Sequence, residues 1–347
     1  MENSRYLFYL TNGTVGDEPP PEGQFFVQEN LGTDFYPSKF VYCGDQILME
    51  LEACCIKLYD IFQNRIFPSS DEYYGYIDSI PVGILTAGLD SNFDIPKEMF
   101  EKYFSKSVYD EALRYKERKE TDTAHITKLD KQKYLFAYTS DCQSLISTLQ
   151  ELILATNDSF IGFYRLLCAV KPIGNDDGDY CAMTSEVRLT FNMLYSLIIQ
   201  IYSIFDITTK IVYELENLKE CVDKYQRLAS KGILYGDKNR LQIDKRGTIF
   251  EKCRVISIFE NLRNEIVHNA TWEMHPKVFL RVENQVVTER AIYLPDFSED
   301  GNLVTYMNRK RFFADGKKVN EELPRLYLEF LHRLYFTLHK IPGMMQY

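Results

Sequence analysis

The sequence has no Walker loop, no G-x-G-x-x-G run and no internal repeat. Those glycine-rich turns let backbone amides approach a phosphate closely, so their absence counts against nucleotide folds of the P-loop and Rossmann kinds. Eight cysteines (Cys43, Cys54, Cys55, Cys142, Cys168, Cys181, Cys221 and Cys253) include no C-x-x-C pair and lie mostly within apolar helical patterns. That scatter excludes a disulfide framework and a zinc site and reads as reduced, intracellular thiols. No metal and no cofactor is expected. The five apolar residues after Arg5 are too few for a signal-peptide core. The most apolar window, residues 189–207, carries Asn192, Gln200 and Asp206, which suits a buried helix rather than a membrane span. The expected location is cytoplasmic, with no membrane contact.

Basic charge is also scarce, and unevenly so. Residues 1–130 hold 12 Lys and Arg against 23 Asp and Glu, whereas residues 131–347 hold 28 against 27. With a net charge of −10 the whole chain is a poor nonspecific partner for polyanions, because that affinity rests on cations neutralising phosphates. Any contact with nucleic acid must be local. The step in charge coincides with Lys116–Lys133, a stretch almost without apolar residues that reads as a linker. Two regions follow: residues 1–133, acidic and α+β, and residues 134–347, dominated by long helices.

In the first region, short aromatic runs at Tyr6–Leu10 and Phe25–Val27 between turn formers predict strands. A helix is predicted over Asp45–Phe67, closed by Pro68, and another from Pro96 to about Lys116. Residues 72–94 read as loop with some extended segments. In the second region, Tyr134–Ala155 and Phe160–Val170 predict one helix broken at Asn157-Asp158-Ser159. The acidic run Asn175-Asp176-Asp177-Gly178-Asp179 fails an EF-hand alignment: placing Gly178 at the sixth position puts Ile173 first and Thr184 twelfth, neither a carboxylate. It reads as a solvated turn. A helix capped by Thr184 or Ser185 then runs to about Asn217, apolar nearly all round. Residues 276–313 change to strand period, a hairpin about Glu283-Asn284-Gln285 with Val304–Phe313 as a candidate third strand. Pro324 is expected to open the last helix. The fold class is mainly α, a helical bundle with a small β insertion at about 276–313, preceded by an α+β N-terminal region.

The most informative stretch is Gly247–Glu273. Ile249, Cys253, Ile256, Phe259, Leu262 and Ile266 recur at the spacing of one buried helical face. Glu260, Asn264 and His268 stack on a face turned away from it. Arg263 lies about 140° around from His268, but its long stem can bring the guanidinium to the imidazole.

Arg263-Asn264 followed by His268, near the end of a third long helix with a fourth to come, resembles the signature of the HEPN superfamily (higher eukaryotes and prokaryotes nucleotide-binding domains). Three other Arg–His pairs share a similar spacing, Arg118 with His125, Arg325 with His332 and Arg333 with His339, and in none is the Arg followed by Asn. The resemblance covers residues 134–347 and implies a HEPN-like bundle and a metal-independent endoribonuclease acting on RNA. It also implies a homodimer, in which two motifs share a cleft, and a role as a toxin or phage-defence effector with an antitoxin or sensor partner. Some members are silenced by modification of a Tyr two residues after the His; here that position is Ala270, and Trp272 follows.

The residue types fit such chemistry. Cleavage through the RNA 2′-hydroxyl needs a group that moves protons near neutrality, assigned to His268, and a permanent cation for the charge growing on phosphorus, assigned to Arg263. Asn264 would orient the imidazole or touch phosphate. Two readings stand for Asp206, which either pairs with Arg263 as a supporting acid or faces water. Arg309, Lys310 and Arg311, beside Phe312 and Phe313, either bind RNA or guard a solvated edge strand. The alternative for the chain as a whole is a non-catalytic module binding a nucleotide or a protein.

Overall fold

The computed structural model describes residues 6–21, 24–30, 39–41, 45–66, 76–77, 80–81, 123–174, 176–218, 228–269, 271–273, 275–342 and 344. In chain order the elements are β1 (Tyr6–Leu10), β2 (Val15–Gly16), β3 (Phe26–Asn30), β4 (Lys39–Val41), α1 (Asp45–Ile66), β5 (Tyr76–Ile77) and β6 (Ile80–Pro81). Then come α2 (Thr123–Ala169), β7 (Gly178–Ala182), α3 (Ser185–Glu216), α4 (Gly232–Tyr235), α5 (Arg254–His268), β8 (Val278–Glu283), β9 (Val286–Ala291) and α6 (Val319–His339). The helix expected over residues 96–116 lies outside the described residues. The fold is mainly α. The chain divides into two compact units, one of residues 1–54, 149–206 and 244–340, the other of residues 55–148, 207–243 and 341–347.

The first unit is built where four helices share one core. Tyr327 of α6 stacks on Phe160 of α2 at 4.8 Å, and Phe330 of α6 meets Phe205 of α3 at 5.6 Å and Phe259 of α5 at 6.0 Å. All five rings are buried, so one turn of α6 joins the other three helices through aromatic area that is costly to expose. Among the described residues α3 alone is long and apolar enough to cross a membrane, yet Leu194, Leu197, Ile198, Ile201 and Phe205 are spent in this core.

Several expectations change here. The break at 157–159 is absent: α2 runs unbroken, and it begins at Thr123, inside the stretch read as linker. Lys and Gln are good helix formers, so a stretch short of apolar residues need not be coil. Pro324 does not open the last helix, which starts five residues earlier at Val319. A proline there removes the amide that would bond the Asn320 carbonyl. The Tyr164 hydroxyl donates to that carbonyl instead, at 2.6 Å, so the helix passes through the proline with its acceptor satisfied.

The third strand beside the hairpin is β7, not Val304–Phe313. Tyr180 pairs with Leu280 and Leu280 with Arg290 in an antiparallel β7-β8-β9 sheet. The acidic run read as a solvated turn therefore leads into a strand. Asp177 accepts the Gln285 amide at 2.8 Å, and Asp179 pairs with Arg281 at 3.2 Å. Backbone amides of Gln285 and Asn284 hold the Asp177 carboxyl below its usual range. The N-terminal sheet, ordered β2-β1-β3-β4, joins this one through buried Arg290, which donates to the carbonyls of Gly13 and Val170 at 2.7 Å each.

The segment between β9 and α6 folds over the start of α5. Gly301, at φ +80°, approaches so closely that an added Cβ would lie 2.3 Å from the Arg254 carbonyl oxygen. Overpacking of this kind costs 1–3 kcal/mol and the left-handed backbone adds 1–2 for a non-glycine residue. Gly301→Ala is accordingly expected to cost about 3 kcal/mol, readable as a lowered urea midpoint without a change of slope. An unchanged midpoint would show that this segment yields freely.

Candidate functional site

α5 has a buried flank of Val255, Ile256, Ile258, Phe259 and Leu262, and turns Asn264, Val267 and His268 to solvent. The helix ends because the amides of Asn269 and Thr271 both donate to the Glu265 carbonyl, at 3.1 and 2.9 Å. Thr271 takes a positive φ of 59° to do so. His268 is thereby the last helical residue, with its ring clear of the core.

The stem of Arg263 does swing across the helix. Its Nη1 lies 3.0 Å from His268 Nε2 and 3.1 Å from Asn264 Oδ1. A guanidinium can only donate, so this contact is a hydrogen bond when Nε2 is the acceptor, with the ring proton on Nδ1. Beneath the guanidinium lies the ring of Tyr202 on α3, 4.5 Å from centroid to Cζ, a cation–π contact. Burial, with Asp206 and Glu260 adding to it against Arg263, holds the Tyr202 phenol above its ordinary value.

Every close partner of Arg263 among the described residues is therefore neutral: an imidazole, an amide oxygen and an aromatic face. Asp206 is exposed, and no ion pair joins it to Arg263 within 4 Å. Its influence reaches the site through Tyr202 rather than as a direct partner. Tyr202 itself was invisible to the motif, since one tyrosine in an apolar helix has no spacing that announces it; its offset of four from Asp206 was the available signal.

Glu265, next to Asn264, is buried at 2% exposure, a burial that no local pattern announces for a carboxylate. Its oxygens accept from Arg311 Nη2 at 3.1 Å and Asn269 Nδ2 at 2.8 Å, with Lys310 Nζ at 3.5 Å. Arg311 Nη2 also donates to the Asn269 carbonyl at 2.7 Å. The basic run is thus brought to the same helix end as Arg263, Asn264 and His268. Its members part company there: Arg311 is consumed by Glu265, whereas Arg309 is exposed with no ion pair among the described residues.

A small cavity on the other side of α5, lined by Leu194, Phe259, Leu262, Trp272, Leu323 and Leu326, is apolar and contains none of the motif. Trp272 is 3% exposed against the ring of Tyr195, so it offers no substitute for a modifiable tyrosine after His268. No group of three His, Cys, Asp or Glu side chains is placed to hold a metal ion among the described residues. Comparisons of the chain with family models, with curated proteins and with solved structures find no match.

Proposed function

We propose that the protein is a metal-independent endoribonuclease of the HEPN kind, with Arg263, Asn264 and His268 as its working residues, acting on RNA in the cytoplasm. The observation that carries this is the state of Arg263: a cation on an exposed helix end, held only by neutral groups and touching the imidazole nitrogen that would move the proton. A guanidinium already neutralised by a carboxylate would gain little from a phosphate. This one gains a full charge partner.

In the reaction, His268 Nε2 takes the proton of a 2′-hydroxyl, whose oxygen attacks the adjacent phosphorus. The bond to the 5′-oxygen breaks, leaving a 2′,3′-cyclic phosphate and a 5′-hydroxyl. Arg263 balances the charge on the non-bridging oxygens as it grows. The leaving 5′-oxygen needs a proton that the same imidazole, having just accepted one, is badly placed to give. A two-fold dimer supplies it from His268 of the partner subunit, because such an axis brings identical residues together. Such an activity, held in check and then released, suits a toxin or phage-defence effector.

The test is incubation of the purified protein with single-stranded RNA in excess EDTA. Cleavage to 2′,3′-cyclic phosphate ends is the expected result. No cleavage, or cleavage abolished by the chelator, would overturn the reading, and tight binding without cleavage would assign the site to a phosphate-binding module.

A further inference from the structure

Residues 304–313, between β9 and α6, carry a second hairpin. Tyr306 and Arg309 exchange both backbone hydrogen bonds, at 2.9 Å each, around Met307 and Asn308. Both central residues have positive φ, 46° and 62°, the backbone of a type I′ turn that Asn-Gly normally fills. Methionine in the left-handed region is unfavourable, and a single change to glycine would relieve it. The strained tip also displays what a surface usually hides: Met307 is 79% exposed and Tyr306 63%.

The base of this hairpin is held firmly. On one side Arg311, itself at φ 73°, grips Glu265 and the carbonyl of Asn269, the residue after His268. On the other, the Asp296 amide donates to the Phe312 carbonyl at 2.7 Å, and its carboxylate accepts the amides of Ala314 and Asp315 at 2.8 and 3.0 Å. Strain held in place by buried anchors, around exposed aromatic and cationic groups, marks a contact surface.

We propose that the Tyr306–Arg309 hairpin docks single-stranded RNA beside the motif, an inference that rests on the ribonuclease reading for the identity of the polymer. An unpaired base stacks on the Tyr306 ring, and Arg309, with no carboxylate partner among the described residues, meets a phosphate. Arg311 is a tether that fixes the hairpin to the end of α5 and contacts no RNA. Charge complementarity selects the occupant: in a chain of net charge −10, Lys310 and Arg311 share the one carboxylate of Glu265 and, with Arg309, leave this helix end locally positive beside Arg263. Base-paired RNA is a poor occupant, because its bases already stack on one another and offer Tyr306 no free face.

The experiment measures fluorescence anisotropy of a labelled 12-nucleotide single-stranded RNA with the full chain carrying His268→Ala, so that substrate is not consumed. Adding Tyr306→Ala or Arg309→Gln should weaken binding about tenfold, the scale of one stacked base, whereas Tyr306→Phe should bind as the parent does. Met307→Gly should raise the melting temperature while binding weakens, showing that the strain serves the contact. Equal affinity for Tyr306→Ala and Tyr306→Phe, or equal affinity for a duplex of the same length, would overturn the proposal and turn this hairpin toward a protein partner. Absence of cleavage by the unmodified protein leaves these binding measurements intact, so failure of the nuclease reading and failure of the docking surface are told apart.

Discussion

Replacing His268 by alanine should lower RNA cleavage by about 10²- to 10⁴-fold, the usual loss when a positioned general acid or base is removed. Arg263→Ala should cost about 10²- to 10³-fold, as for other groups that stabilise charge only as it develops. Both should remain folded. His268 is exposed and Arg263 is held by a surface tyrosine ring and two neutral acceptors, so each change should move the unfolding free energy by less than about 1 kcal/mol. Arg263→Lys is the sharper variant. It keeps the charge but loses the planar group that lies on Tyr202 and reaches Asn264 and His268 together, so recovery should be partial at best. Single-turnover cleavage alongside circular dichroism checks all three. Cleavage at the unmodified rate by a folded His268→Ala protein would remove the motif from the chemistry.

The largest expected effect on stability lies in the other compact unit. Glu214 on α3 is fully buried, and its oxygens accept from Tyr138 at 2.8 Å, Tyr235 at 2.7 Å and Lys231 at 2.9 and 3.2 Å. Taking away one partner of a buried ion pair costs 3–5 kcal/mol, because the ion left behind cannot regain water. Glu214→Ala should therefore lower stability by about 4 kcal/mol, much of the 5–15 kcal/mol that a domain possesses. Burial first, then the hydrogen bond to Glu214, raises the Tyr235 phenol far above its ordinary 10.0. A phenol that keeps its proton in the native state and loses it in the unfolded chain stabilises fully below pH 10, and that contribution fades as pH rises. Urea titrations should show stability falling above about pH 10, with a shallower fall in Tyr235→Phe. A flat profile in the parent protein would contradict the buried phenol.

Most of the helical framework was legible in the sequence because amphipathic period survives any tertiary context. The buried face of α5, the turn at Asn284-Gln285 and the span of α1 all follow from spacing. Continuity was harder to read. Asn157-Asp158-Ser159 looks like a break to local propensity, yet Ser159 donates to Gln200 and Phe160 packs on Tyr327, and packing outweighs a few tenths of a kcal/mol per residue. The proline at 324 was misread for a related reason: its consequence depends on whether a distant group can satisfy one carbonyl, and Tyr164 lies 156 positions away.

The candidate site divides in the same way. Residue types and the spacing of Arg263, Asn264 and His268 are properties of one helix, and helical geometry alone brings them within reach of one another. Sequence by itself thus determined which groups meet and what chemistry they have. Only the tertiary structure decided that Arg263 rests on Tyr202 with no carboxylate within ion-pair distance among the described residues, that Asp206 faces solvent, and that Arg311 is spent on a buried Glu265 while Arg309 remains outside. Those outcomes depend on charges from different elements meeting or missing one another, and such meetings are set by packing, which no local pattern records.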